Sequence, residues 1–217
     1  MTYNPENGAL GLLTNAQARS LLAQAFAEWE AGPATITFTE GSLLGVDVNA
    51  TGIPLTNPAH YQNFYRKSGD SKTPVIFDND GSIIDGIFGT GARFDILGVA
   101  GLDTPVGVST TITEASIVIN GLFYDGVGLP SSPDDVTLTG LKAAMVHEIG
   151  HAINLDHTYL NHDLALDGNA GNDIYVPTMF PIAADDEAAL ATTNPDDQLA
   201  AENLYPPGAG TNGFREA

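Results

Sequence analysis

Residues 147–157 read His147-Glu148-Ile149-Gly150-His151-Ala152-Ile153-Asn154-Leu155-Asp156-His157. On a helix, positions four apart lie about 40° apart round the axis and one turn along, so His147 and His151 reach one point in space. Glu148 stands one step round the helix, where it meets a water at that point without being a ligand. This is the H-E-x-x-H arrangement, in which two imidazoles hold a zinc ion beside a carboxylate base. His157 joins them only if the helix stops and the chain turns back. Such a stop favours a residue in the left-handed conformation, Gly first and Asn next. Asn154 lies three residues after His151 and three before His157, where the reversal is needed.

Outward from this stretch, the spacing predicts a helix capped by Thr139 and running through Leu141, Met145, Val146, Ile149 and Ile153. A second helix is predicted from Thr14 or Asn15 to about Glu30, with Ala18, Leu21, Leu22, Ala25, Phe26 and Trp29 forming one apolar face. Gly32-Pro33 ends it. Strands are predicted at Ala34–Thr39, Leu44–Val48, Ile96–Ala100 and Ala115–Asn120, with a further ordered stretch from Val75. Residues 50–72, 126–135 and 156–174 read as loops. Asn194-Pro195-Asp196-Asp197 opens a last helix: Asn caps, Pro sits first and two acids complement the dipole.

The chain has 217 residues, enough to bury a sizeable core. Asp and Glu number 27 against 7 Lys and Arg, a formal net charge of −20. Such a surface repels phosphate backbones and anionic lipid, so no nucleic-acid partner is expected. No apolar run approaches the ~20 residues of a membrane-spanning helix, so no membrane insertion is expected. Cysteine is absent, which excludes a disulfide framework and a Cys-based zinc finger. Met1-Thr2-Tyr3-Asn4-Pro5 carries no basic stretch followed by an apolar one, so no signal peptide is read in it.

With these residues in view, the sequence resembles the metzincin zinc peptidases, whose motif is H-E-x-x-H-x-x-G-x-x-H followed by a methionine turn. Asn154 replaces the motif's glycine. Pro177-Thr178-Met179-Phe180-Pro181 is the candidate turn, with Met179 as a floor beneath the metal. Within the metzincins, His147 to Asp156 is most like the matrixins. The resemblance touches most of the chain, but only 147–158 and 177–181 are specific. It implies an α+β fold: a twisted mixed β-sheet, two long helices above it, and a small C-terminal subdomain with one helix across an active-site cleft. The implied boundaries are a catalytic domain over 1–207, divided near 154/155, and a flexible tail over 208–217. The 22 residues from His157 to Met179 exceed the usual matrixin loop, and no cysteine is present to act as a latency switch.

The activity this implies is zinc-dependent endopeptidase, with His147, His151 and His157 on Zn²⁺ and Glu148 as general base and acid. A peptide or protein substrate would pair with the edge strand at Leu97, Gly98, Val99 and Ala100, and a pocket beside Pro181-Ile182-Ala183 would select its side chain. A secreted, monomeric protein is expected. Two competing readings are a catalytically inactive binding module on the same fold and a zinc hydrolase of a non-peptide amide. Glu148 counts against the first, because an inert relative has no need of the base. Two acidic groups, Asp78, Asp80 and Asp85, and Asp163, Asp167 and Asp173, are candidate Ca²⁺ sites on oxygen content, though neither has EF-hand spacing. His162 is a weaker candidate ligand, and His60 reads as surface loop.

Overall fold

The computed structural model describes residues 1–67, 69–103, 112, 114–130, 134–182 and 186–207. The expected tail at 208–217 and the pocket wall at Ala183 lie outside the described residues. Five strands form one mixed sheet: β1 (Thr2–Pro5), β2 (Thr39–Glu40), β3 (Pro74–Asp78), β4 (Gly98–Asp103) and β5 (Glu114–Asn120), in the order β2-β1-β3-β5-β4. All neighbours are parallel except β4 and β5, which run antiparallel and leave β4 at the edge. Among the described residues six helices accompany them: α1 (Asn15–Glu30), α2 (Ser82–Phe88), α3 (Leu138–Ala152), α4 (His162–Ala165), α5 (Glu187–Leu190) and α6 (Pro195–Leu204). The chain is therefore α+β, as expected.

Period-two alternation splits the sheet's side chains between two cores. Val75, Phe77, Ala115, Ile117 and Ile119 pack with the apolar faces of α1 and α3. Ile76 and Val118 pack on the opposite face with Ile83, Ile84, Val48 and Tyr61. α1 forms as its spacing dictates, and Thr14 closes a capping box with Gln17. Its buried Trp29 donates its indole N–H to the Val146 carbonyl at 2.9 Å, tying α1 to α3 one residue before His147. α3 is capped by Thr137, not Thr139; the Thr137 hydroxyl accepts from the Gly140 N–H. Among the described residues no helix is long and apolar enough to cross a membrane.

Two expected strands and the placement of one histidine differ. Residues 34–38 are not strand: Ile36 and Phe38 pack on the α1 core without joining a ladder, and only Thr39–Glu40 pair with β1. Leu44–Val48 is not strand either. Its backbone is satisfied by β1 and by the turn that follows: Leu44 N–H donates to the Pro5 carbonyl, Asn7 N–H to the Val46 carbonyl, and Val48 N–H to the Glu6 carboxylate. His60 is buried rather than a surface loop residue; its ring stacks on Tyr61 and its Nδ1 accepts from the Gln62 N–H.

The β4–β5 ladder ends on two facing acids, Asp103 opposite Glu114, both buried. Glu114 accepts from the Gly69 and Ser71 N–H groups, whereas neither Asp103 oxygen has a hydrogen-bond partner. Burial, then the Glu114 charge, pushes the Asp103 carboxyl up to about 6. Arg66 opposes this and Asp70 adds to it. An acid whose folded value exceeds its unfolded one loses stability as pH rises between the two. Asp103 therefore costs nothing below pH 3.8, and its full cost is reached above about 6. At 1.36 kcal/mol per unit that cost is about 3 kcal/mol at most. Asp103→Asn should gain about 1–3 kcal/mol at pH 8 relative to its effect at pH 4. Urea unfolding at the two values checks it; equal shifts at both would refute the assignment.

Candidate metal centre

α3 carries His147 and His151 into the cleft one turn apart, and the chain then reverses as the sequence suggested. Asn154 takes φ +72°, in the left-handed region. Its N–H donates to the His151 carbonyl, and the Leu155 N–H returns to the Gly150 carbonyl at 2.9 Å. That 6→1 bond closes the helix end in the Schellman manner. The reversal delivers His157 to the same point.

The three Nε2 atoms lie 3.2 Å (His147–His157), 3.1 Å (His147–His151) and 3.1 Å (His151–His157) apart. Three nitrogens on one tetrahedral ion at zinc's bond length of about 2.0–2.1 Å would stand about 3.3 Å apart, so the spacing fits. The protonation pattern fits too. His147 Nδ1 faces the Thr178 carbonyl and His151 Nδ1 faces the Leu155 carbonyl, each at 2.8 Å. Carbonyls only accept, so both Nδ1 atoms carry the proton and both Nε2 atoms present lone pairs to one another. A cation between them removes that repulsion. Burial pushes the His147 imidazole down to about 4, and burial lowers His157 as well, so both hold the neutral form a metal needs. The three histidines form a group that could hold a metal ion, and among the described residues no other set of three His, Asp or Glu side chains converges in this way.

Glu148 follows His147 on α3 and is buried. Burial pushes its carboxyl up to about 8, partly offset by a hydrogen bond from the Ala100 backbone. Its Oε2 has no partner. Gly98 makes room for it: a β-carbon there would stand 2.8 Å from Glu148 Cγ. The edge strand thus lies directly against Glu148, and Leu97, Gly98, Val99 and Ala100 line the same cleft as the three histidines. That cleft, of about 1090 Å³, runs along β4 from Arg66 and Leu102 to Leu190 on α5.

Met179 is buried against α3. Gly150 admits it, since a β-carbon at 150 would collide with the Met179 Sδ and stand 2.8 Å from Trp29. The turn that carries Met179 also orients His147, through the Thr178 carbonyl. Asp197 on α6 holds that turn: its carboxylate accepts from Thr178 N–H at 2.7 Å, from Met179 N–H at 3.2 Å and from Asn194 N–H at 3.2 Å. In sequence Asp197 looked like an ordinary dipole acid. Its signal was its position three residues after the Asn194 cap, which sends its carboxylate back towards the helix start.

The remaining candidates scatter. Asp78 accepts from the Ile84 N–H, Asp80 from the Ser82 N–H, and Asp85 pairs with Arg93. Asp163 is fully exposed, Asp167 accepts from Asn169 and Asn172, and buried Asp173 accepts from the Asp186 N–H. Each carboxylate has a local role or none, and neither triplet gathers round a point. His162 is exposed, interacts with Asp163 and stands outside the histidine group.

No family model matches the chain, and no curated protein matches it either.

Proposed function

We propose that the protein is a zinc-dependent endopeptidase, similar in mechanism to the metzincins. One observation carries the reading: three imidazole nitrogens at mutual 3.1–3.2 Å share a cleft with a buried carboxyl and with β4, the edge strand of the sheet among the described residues. Three neutral nitrogen ligands leave a fourth position open, the pattern of catalytic rather than structural zinc. When bound, zinc supplies a Lewis acid for the scissile carbonyl and eases ionisation of a water at that position.

The chain's residues do the rest. β4 takes an extended peptide by strand addition and fixes its register. Glu148 accepts the proton of the attacking water and returns it to the leaving nitrogen. Burial raises the proton affinity of this carboxyl and so strengthens it as a base, while a cation held by the neighbouring histidines would oppose that rise and favour its ionised form. The backbone carbonyls of Thr178 and Leu155 keep the His147 and His151 rings aimed, and Asp197 keeps the Thr178 carbonyl in place. A buried carboxyl with one oxygen left without a partner would be an unrewarded cost in an inert binding module.

Incubation with casein, before and after chelation, tests the reading. Cleavage should stop with a chelator selective for zinc and return with about one equivalent of Zn²⁺, but not with Ca²⁺ alone. Cleavage indifferent to chelation, or no cleavage by zinc-loaded protein, would refute it.

A further inference from the structure

The cleft extends well past the histidines, towards the N-terminal end of α3. His147, Ala144, Ala143 and Gly140 follow one face of that helix, and all four line the cleft. Side chains shrink along this face to nothing at Gly140. Seven residues of helix span about 10 Å, so the space reaches deep beside α3.

Its far end is charged. The Glu187 carboxylate lies where a Gly140 β-carbon would be, with Oε1 at 2.5 Å and Oε2 at 2.9 Å from that position. A residue larger than Gly at 140 would displace it. Glu187 accepts from the Thr137 hydroxyl and, at 3.4 Å, from the Thr137 N–H. Among the described residues it has no Lys or Arg partner within ion-pair distance. The walls between the histidines and this carboxylate are apolar, with Ala143, Leu190 and Phe180. An apolar channel that ends on an unneutralised carboxylate suits a long aliphatic stem with a cationic head.

The charge of the whole cleft agrees. Asp95, Asp156 and Glu187 line it, and among the described residues the single lysine or arginine on its lining is Arg66, at the opposite end beside Gly101. The chain's net charge of −20 attracts cationic peptides from a distance.

Resting on the peptidase reading, we infer that this channel takes a lysine or arginine side chain next to the scissile bond, with Glu187 as the residue that selects it. The substrates are then basic peptides or basic segments of proteins.

A mixed peptide library, cleaved by the zinc-loaded protein and read by sequencing the products, gives the first test. Lys and Arg should be enriched at one fixed position flanking the cut. Glu187→Gln keeps the shape and one oxygen acceptor for Thr137 and removes the charge. It should lower the ratio of kcat/KM for a Lys or Arg peptide over its Leu counterpart by at least tenfold. Ala143→Leu narrows the channel midway and should shift the preference towards short side chains. Metal content and unfolding midpoint, measured on each variant, exclude a loss of fold. Apolar or acidic enrichment at both flanking positions, or an unchanged ratio in Glu187→Gln, would overturn the inference.

Titration of the same Arg and Leu peptides into zinc-loaded Glu148→Gln, which leaves them intact, reads the pocket without turnover. Tighter binding of the Arg peptide, lost on adding Glu187→Gln, supports the channel even if no peptide is cut. In that event the peptidase reading falls alone. Equal binding of the two peptides sinks the inference whatever the turnover.

Discussion

Glu148→Gln should lower kcat for peptide hydrolysis by at least about 10³-fold while leaving one metal ion per chain. General acid–base catalysis is worth about 10²–10⁴-fold, and here one group serves both halves of the proton transfer, so the upper part of that range applies. The amide occupies the same volume in a site that Gly98 has cleared to fit it. It accepts the Ala100 N–H as the carboxylate does. Burial holds the Glu148 carboxyl up, so an uncharged replacement removes a desolvation cost and the fold should be no less stable. The measurements are single-substrate kinetics, elemental analysis and thermal unfolding. Activity within tenfold of the parent would mean that another group moves the proton, and the mechanism would fail. Loss of metal along with activity would instead make Glu148 a support for the histidines.

How much of this site was readable in advance depended on the range of the interactions. The three histidines, Glu148 and the left-handed Asn154 lie within eleven consecutive residues, and helical geometry with one reversal determines their arrangement. The α6 start at Asn194-Pro195 was equally local. Asp197 is the first-turn acid the sequence indicates, but its second role is not local: the Thr178 and Met179 N–H groups lie 19 and 18 residues away. β1 carries no strand signature of its own. Thr2–Pro5 has a proline and an asparagine in a four-residue strand, and only its pairing with residues 39–40 and 74–75 makes it one. The opposite error came at 34–38 and 44–48, where β-branched residues signalled strands. Burial alone accounts for Ile36 and Val48; the Val48 N–H goes to the Glu6 side chain rather than to a neighbouring strand. Acid-rich turns misled for a related reason. Asp85 counts as a potential calcium ligand until Arg93, eight residues on, folds back against it.

His157→Ala should weaken zinc binding far more than His162→Ala, although the two histidines are only five residues apart and both are exposed. The difference is geometric. His157 places its Nε2 3.1–3.2 Å from those of His147 and His151, whereas His162 faces Asp163 in α4. Spread over four ligands, structural zinc's apparent binding energy of about 10–16 kcal/mol is about 3 kcal/mol per ligand. Removing one should raise the dissociation constant by about 10²-fold or more. The metal-free variant should fold normally, because His157 is exposed and its removal relieves the crowding of three imidazole nitrogens. Competition with a chromophoric chelator measures both constants, and far-ultraviolet circular dichroism checks the fold. A His162→Ala protein that binds zinc as tightly as the parent, beside a His157→Ala protein that does not, would separate a ligand from a bystander. Equal affinities in all three proteins would leave two histidines and no third, and the open-cornered site on which hydrolysis depends would be gone.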